Sequence, residues 1–296
     1  MAELTEVQSN QVAAVVVTFH PEAEVLANLA EVRPQVQSLI VVDNGSTLAE
    51  LELLRDSAQI MGFELIENGE NLGVATALNV GVRRALELGA EWILLFDQDS
   101  RVTPDFTATM LRGFAQDPDR DRIGILIPLY IDMRFGTAMD AIREPDGSIE
   151  TAITSGSLVL ARVFRELGLF VDGLFIDGVD HEFSLRLRAA NLMLKECVDA
   201  RLLHSPGTPR SHTFLRKKPF LSANYSPARR YYQERNKVWL IRRYWRTFPG
   251  FCQRQLSVSS KELAKIVLFE EDKIRKCRFF FRGIWHGLHG RLGRLE

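Results

Sequence analysis

Apolar residues in the first half of the chain fall into short runs, separated by polar turns and by longer stretches with a helical repeat. "VAAVVVTF", rich in β-branched residues, predicts a strand buried on both faces. "SLIVVDNGS", "FELIEN" and "EWILLF" predict three more strands. Between them lie helical patterns from about Glu22 to Val36, over "LAELELLRDSAQIMG" closed by Gly62, and over "GVATALNVGVRRALELG" opened by Gly73 and stopped by Gly89. "SRVTPDF" opens a further helix, with Thr103 as the expected cap and Pro104 at its first position. "RIGILIPLYI" is the next strand.

Strands alternating with helices imply an α/β fold with a parallel sheet covered on both faces. Ligands in such sheets bind outside the carboxyl ends of the strands. The polar sequences that follow the strands, "TFHP", "DNGS", "ENGENLG" and "DQDS", should therefore converge. The pattern breaks from about Asp132 to Ile149 into a polar loop or hairpin. It resumes with "ITSGSLVLA" as a strand, "FIDGVDHEFSLRLRAAN" as a loop leading into a helix, and "LMLKECVD" as a strand. Beyond His204 the repeat is helical and basic.

The net charge of −1 conceals an asymmetry. Residues 1–200 carry 15 Lys and Arg against 32 Asp and Glu, whereas residues 201–296 carry 22 against 6. The basic part either folds back on the acidic part or meets an anionic partner: membrane surface, nucleic acid or phosphate. No helix-turn-helix, zinc-finger or RNP-type motif supports nucleic acid. The three cysteines, Cys197, Cys252 and Cys277, form no CxxC pair and suit a reducing compartment. "MAELTEVQSNQ" is polar and acidic, unlike a secretory signal, and no apolar run is long enough to span a bilayer. A cytoplasmic protein is expected.

"WILLFDQDS" raises the first chemical question, because a buried strand ends in two carboxylates, Asp97 and Asp99. Two oxygen ligands at a strand end suit Mg2+ or Mn2+, which commonly bridge carboxylates and substrate phosphates. The alternative is one turn-capping and one solvated aspartate. Asp43 ends a neighbouring strand, where its carboxylate could accept from a base or ribose. The small residues of "ENLGVATALNVG" would let a ligand approach closely. Asp180 and Glu182 open a helix, where negative charge is favourable, so capping competes with chemistry. His204 is a candidate third metal ligand, in competition with His181, His20 and His212. A dinucleotide-binding GxGxxG or a P-loop is excluded at the first strand, since no glycine precedes Gly45.

In combination, "VVVTF", "VVDNGS", "NLGVATALNVG", "LLFDQDS", "VDHEFSLR" and the later histidine resemble family 2 glycosyltransferases, inverting enzymes of the GT-A fold. "DQDS", "SGSLV", "FIDGVDHEFSLRLR", "LLHSPG" and "RRYYQERN" are most similar to the bacterial rhamnosyltransferase branch. The resemblance implies a GT-A (nucleotide-diphospho-sugar transferase) fold with a mostly parallel central sheet flanked by helices. It implies a catalytic domain over residues 1–210, with a nucleotide-sugar half to about 100 and an acceptor half beyond, followed by a basic helical region over 211–296. Thr18, Phe19, His20, Asp43, Asn71, Gly73 and Asp97 match donor-binding positions. Asp97, Asp99 and His204 match the metal site. Asp180 matches the general base, but the usual Glu-Asp-x-Asp reads Val179-Asp180-His181-Glu182, which leaves Glu182 and, less directly, Asp177 as alternatives. The implied donor is dTDP-L-rhamnose with a divalent metal; another nucleotide sugar, or a non-catalytic nucleotide-sugar binding module, is the alternative. The implied acceptor is a glycan or glycolipid of lipopolysaccharide, O-antigen or rhamnolipid type. Nothing in the chain indicates its oligomeric state.

Arg235 and Asn236, in "RRYYQERN", match a run typical of that branch and are read as contacts to diphosphate or to an acceptor phosphate, or else as part of a packed helix. Further on, Ile274, Cys277, Phe281, Ile284 and Leu288 recur at three- and four-residue steps. Lys273, Arg275, Lys276, Arg278 and Arg282 lie among them, and Phe279, Phe280 and Trp285 widen the apolar surface. Such a helix either packs on the catalytic domain or lies on an anionic inner-membrane surface.

Overall fold

The computed structural model describes residues 11–204, 210–212, 220–222 and 224–295. By internal contact the chain divides into two units, one of residues up to Asp172 and Asp180–Ser205, the other of Gly173–Val179 and everything beyond Pro206. The seven residues ahead of Asp180 therefore belong with the C-terminal helices, an exchange that hydrophobic periodicity does not register.

The first unit is built on a sheet ordered β3-β2-β1-β4-β8-β6-β9-β5, with β7 beside β6. Strands β1 (Val12–Thr18), β2 (Ser38–Asp43), β3 (Glu64–Glu67) and β4 (Trp92–Asp97) are mutually parallel. Every residue of β1 is buried, which explains its unbroken apolar run. Helices α1 (Glu24–Val32), α2 (Leu48–Met61) and α3 (Val74–Glu87) make the crossovers. The sheet turns antiparallel at β8 (Ser157–Leu160), which lies between β4 and β6 (Ile123–Asp132). Strand β9 (Met193–His204) runs parallel to β6, and its far edge carries β5 (Arg101–Val102). β7 (Thr137–Ala138) and β5 are two-residue pieces, too short for periodicity to reveal.

Two boundaries differ from expectation. The first helix stops at Val32, and Pro34 sits in a 3-10 turn over Arg33–Gln35. Helix α4 (Phe106–Gln116) starts after Asp105, which is left-handed at φ 57°, so Pro104 is outside the helix. Thr103, the expected cap, instead donates to the Arg201 carbonyl at 3.2 Å. The remaining helices of this unit are α5 (Ala161–Leu167) and α6 (Val179–Ala189), whose first residue belongs to the second unit.

The second unit contains a strand pair, β10 (Arg210–His212) with β11 (Phe220–Ser222), and helices α7 (Pro227–Tyr244), α8 (Pro249–Phe269) and α9 (Lys273–Leu288). Ser226 caps α7 by accepting from the Arg229 amide, and Pro227 occupies the first turn. Helix α9 buries Lys276, Phe280, Gly283 and Gly287, and the two glycines lie against α7. A Cβ at Gly283 would lie 2.5 Å from the Tyr231 carbonyl oxygen, so only glycine permits the approach. This contact stripe is not the apolar face expected from the sequence. Ile274, Phe281, Trp285 and Leu288 remain exposed, and Cys277 and Ile284 are half-buried. Lys276 departs from the expected basic flank: it is buried and paired with Glu270 at 2.9 Å. Among the described residues no helix is long and apolar enough to cross a membrane.

Candidate active site

The register brings Thr18 beside Asp43, and Val17 beside Asp97, at the carboxyl ends of β1, β2 and β4. Asp43 is fully buried. Its carboxylate accepts from the Thr18 hydroxyl at 3.0 Å, the Gly45 amide at 3.0 Å, the Ser46 amide at 2.9 Å and the Ser46 hydroxyl at 2.5 Å. Four donors fill the usual capacity of a carboxylate. Asp43 is therefore spent on shaping the "DNGS" turn, contrary to the expectation that it would accept from a ligand. Gly45 closes that turn at φ 98°, and a Cβ there would meet the Glu70 backbone at 2.6 Å.

The other loop residues are tied together. The Phe19 amide donates to Gln98 Oε1 at 2.8 Å, and the Asn28 side chain donates to the Gln98 carbonyl at 2.9 Å. Gln98, the middle residue of "DQD", was not singled out from the sequence, yet it joins the first loop to the fourth. The His20 amide donates to Ser46 Oγ at 2.9 Å, and its ring lies 2.9 Å from Glu50. Hydrogen bonds from Thr47, then from His20, hold the Glu50 carboxyl at about 2. Asn44 donates to Asn71 at 3.2 Å, and Asn71 accepts from the Gly73 amide at 2.9 Å. Of the small residues of that stretch, Gly81 admits the sheet: a Cβ there would lie 2.2 Å from the Val15 side chain.

Asp97, Asp99 and Asp180 form one electrostatic cluster. Solvent reaches Asp97. Desolvation, reinforced by the charges of Asp99 and Asp180, pushes its carboxyl up to about 7. Each of these influences disfavours the charged form. The buried Tyr130 hydroxyl, also near Asp97 and Asp180, is pushed upward, chiefly by desolvation. It donates to the Ser155 carbonyl at 3.0 Å, while the Ser155 hydroxyl accepts from the Asp97 amide at 3.2 Å.

Hard carboxylate oxygens that crowd negative charge together fit a divalent cation. Among the described residues no group of three or more His, Cys, Asp or Glu side chains surrounds a single point. His204 ends β9 opposite Asp132; its side chain, like that of His212, lies outside the described residues.

The raised Asp97 pKa has a stability consequence. Between the ordinary carboxyl value and about 7, the folded state holds a proton that the unfolded chain has released. This group's contribution to stability therefore falls as pH rises through that window. Without divalent cation, Tm should drop from about pH 5 to about pH 7.5 more in the wild type than in Asp97→Asn. Mn2+ should restore the wild type most at the upper end. Parallel curves for the two proteins in a melting series would contradict this.

Asp180 is half-buried at the start of α6 and accepts from the His181 amide at 2.8 Å. Glu182 is buried and paired with Arg186 at 2.7 Å, and Arg186 also donates to the carbonyls of Leu167, Gly168 and Leu169. Glu182 thus anchors a loop, which leaves Asp180 as the acid with the Asp97 cluster beside it. In the second unit, Asp177 pairs with Arg229 at 3.3 Å.

Arg235 and Asn236 do not present their polar groups to a ligand, contrary to one expectation. Both are buried. The Asn236 amide donates to the carbonyls of Leu174, Ile176 and Asp177 at 2.9, 2.8 and 2.6 Å. Arg235 donates to Gly173 and Leu174 at 3.0 and 2.8 Å, and to Asn236 Oδ1 at 2.8 Å. They clamp a segment in which Phe175 and Asp177 have φ of 64° and 62°, values that cost non-glycine residues energy.

Residues 14–190 match the family model for glycosyl transferase family 2, and the chain belongs to that family. Over 251 residues it is 30% identical to the dTDP-rhamnosyl transferase RfbF of Shigella flexneri, covering 79% of this chain and 81% of that protein. This likeness sets it on the rhamnosyltransferase branch. It is also 27% identical over 256 residues to the galactofuranosyltransferase GlfT1 of Mycolicibacterium smegmatis, covering 78% and 82% of the two chains. In fold it resembles the mannosyltransferase PcManGT of Pyrobaculum calidifontis, with a TM-score of 0.57 at 15% identity, covering 95% of this chain and 88% of that one.

Proposed function

We propose that this protein transfers L-rhamnose from dTDP-β-L-rhamnose to a hydroxyl of a glycan or glycolipid, with inversion at the anomeric carbon. The observation that carries the reading is the acid cluster of a family 2 fold, Asp97 and Asp99 at the end of β4 with Asp180 acting on Asp97 from the start of α6. The likeness to RfbF supports rhamnose as the sugar. The likeness to GlfT1 is the specific reason to keep a different nucleotide sugar as the second reading.

Asp99 and Asp97 would hold Mg2+ or Mn2+, with His204 assisting. When bound, such a cation supplies charge stabilisation for a diphosphate leaving group. The loops tied by Gln98, Asn44 and Asn71 fix the floor of the donor site around the Thr18–His20 turn. Asp180 accepts the proton of the acceptor hydroxyl as that oxygen attacks. Attack from the face opposite the leaving group needs no covalent enzyme intermediate. In calorimetry, dTDP is expected to bind in the presence of Mn2+ and not in a chelator. Asp99→Ala should remove the metal-dependent part. Equal affinity with and without chelator would sink the metal assignment.

The same reading places the protein on the cytoplasmic face of the inner membrane as a peripheral enzyme. Its support is the exposed face of α9, where Ile274 is 89%, Phe281 55% and Trp285 57% accessible, flanked by the exposed Arg275, Arg278 and Arg282. A basic helix with aromatic anchors suits the plane of an anionic bilayer, with about 1 kcal/mol from each basic residue near the surface. The full chain should sediment with phosphatidylglycerol vesicles at low salt and be released by salt. Phe281→Ser with Trp285→Ser should abolish the binding. A chain that stays in the supernatant at low salt would rule the membrane reading out.

A further inference from the structure

Asn79 is a polar side chain on an apolar face. It lies on the buried side of α3 with Ala75, Leu78 and Val82, and solvent does not reach it. Asparagine adds nothing to helix stability, and an unpaired amide is costly in such a place. Its partners explain its presence. Nδ2 donates to the Phe170 carbonyl at 2.9 Å, and Oδ1 accepts from the Phe170 amide at 2.9 Å. Nδ2 also donates to Asp172 Oδ1 at 2.7 Å. One side chain thus closes both backbone groups of Phe170, which requires a donor and an acceptor on the same short stem.

Phe170 follows a loop that α6 grips from its own side. The carbonyls of Leu167, Gly168 and Leu169 accept from Arg186 of α6 at 2.7, 3.2 and 2.8 Å. Four successive residues are therefore bonded, three to α6 and the fourth to α3. The Phe170 ring extends the contact, with its centroid 4.7 Å from that of Phe183 and 5.7 Å from that of Phe164. Phe164 and Phe183 stack at 5.0 Å, and all three rings are buried. Phe183 stands three positions after Asp180, on the same face of α6. Phe170 and Phe183 line a small cavity that reaches Asp180, with Thr154 and Ser184 also in its wall. Packing does not hold the Asp180 side chain on the cavity side, so its place follows that of α6. At its other end α3 begins beside Gly73, whose amide donates to Asn71, the residue tied to Asn44 in the donor loops.

We propose that Asn79 is a positioning residue for the general base: by fixing the Phe170 backbone it sets where α6 carries Asp180. The inference rests on the reading of Asp180 as that base. Asn79 itself touches no reacting group. It joins the helix that leaves the donor loops to the loop on which α6 is seated, so that the base is placed relative to the donor. A base acts only within hydrogen-bond reach of the proton it takes, and a small displacement of α6 removes that reach.

The test is a double-mutant cycle on the full chain. Its readout is nucleotide release in Mn2+ from whichever nucleotide sugar the chain cleaves fastest, with a glycolipid fraction that supports turnover as acceptor. Asn79→Ala should lower kcat about 10–100-fold, the scale of a displacement near 1 Å at a reacting group. Metal-dependent dTDP affinity should be unchanged. In an Asp180→Asn background the same substitution should lower kcat by less than about twofold, because no base remains to be placed. A merely structural role would cost the same factor in both backgrounds.

Phe170→Leu reads the same step without disturbing the amide, since it keeps the backbone bonds at residue 170 and removes the ring from Phe183. It should lower kcat at unchanged dTDP affinity and lose its effect in the Asp180→Asn background, which covers the case of Asn79→Ala melting below the assay temperature. Wild-type kcat in both variants, or equal factors in the two backgrounds, would overturn the proposal while leaving Asp180 as the base. Full turnover in Asp180→Asn alone would overturn the base reading itself, and this inference with it.

Discussion

Asp180→Asn is expected to lower turnover by about 10²–10⁴-fold, the range typical of a positioned general base, while leaving donor affinity unchanged. The amide is isosteric and can still accept from the His181 amide, so the start of α6 should keep its geometry. What it loses is the capacity to take a proton from the acceptor. Removing one charge from the cluster should also let the Asp97 carboxyl fall, because Asp180 contributes to its elevation. Steady-state kinetics with saturating donor, together with dTDP calorimetry, read both consequences. Glu182→Gln is the control. That residue is buried against Arg186, so its loss should lower Tm more than turnover. If Glu182→Gln abolished turnover at unchanged Tm and Asp180→Asn did not, the base would be the other acid.

The second large effect is expected at Asn236. Its two amide hydrogens are shared among three carbonyls, one buried and two half-buried, of the segment that leads, three residues later, to Asp180. Asn236→Ala takes a donor from the Ile176 and Asp177 carbonyls, while Leu174 keeps Arg235, at about 1–3 kcal/mol for each group left unsatisfied. Phe175 and Asp177 would then be free to leave their left-handed conformations. A displacement of about 1 Å at a reacting group costs roughly 10²-fold. The expected result is a lower kcat and a raised acceptor KM, with metal-dependent dTDP affinity intact. A direct diphosphate contact would show the reverse split, with donor affinity lost and the segment's amide-exchange protection unchanged.

The strands and crossover helices were legible because their signals are local. An unbroken run such as Val12–Val17 reads as a strand buried on both faces, and Gly62 ends a helix in a left-handed conformation at φ 69°. The convergence of Asp97, Asp99 and Asp180 was legible only through resemblance, since nothing in their spacing joins residues some eighty positions apart. What remained hidden depends on partners distant in the chain. Asp43 looks like a free carboxylate in "VVDNGS", yet Thr18 and its own turn consume it. Arg235 and Asn236 look like phosphate ligands, yet they clamp carbonyls about sixty positions earlier. Periodicity located an apolar face on α9 but could not foresee that a glycine stripe would make the contact with α7 and leave that face open. The Gln98 stitch has a weaker signal: an amide between two acids at a strand end can both accept from and donate to the backbone of a neighbouring loop, as it does at Phe19, where a carboxylate could only accept.

The central claim, metal-dependent transfer from dTDP-L-rhamnose, is tested most directly by nucleotide release. The purified chain is incubated with Mn2+ and a panel of nucleotide sugars, with and without a rhamnose-accepting glycolipid fraction, and free nucleoside diphosphate is measured. The predicted result is release from dTDP-L-rhamnose above every other donor, abolished by chelator and by Asp99→Ala. Release that persists in the chelator, or that is fastest with a different nucleotide sugar, would contradict the account.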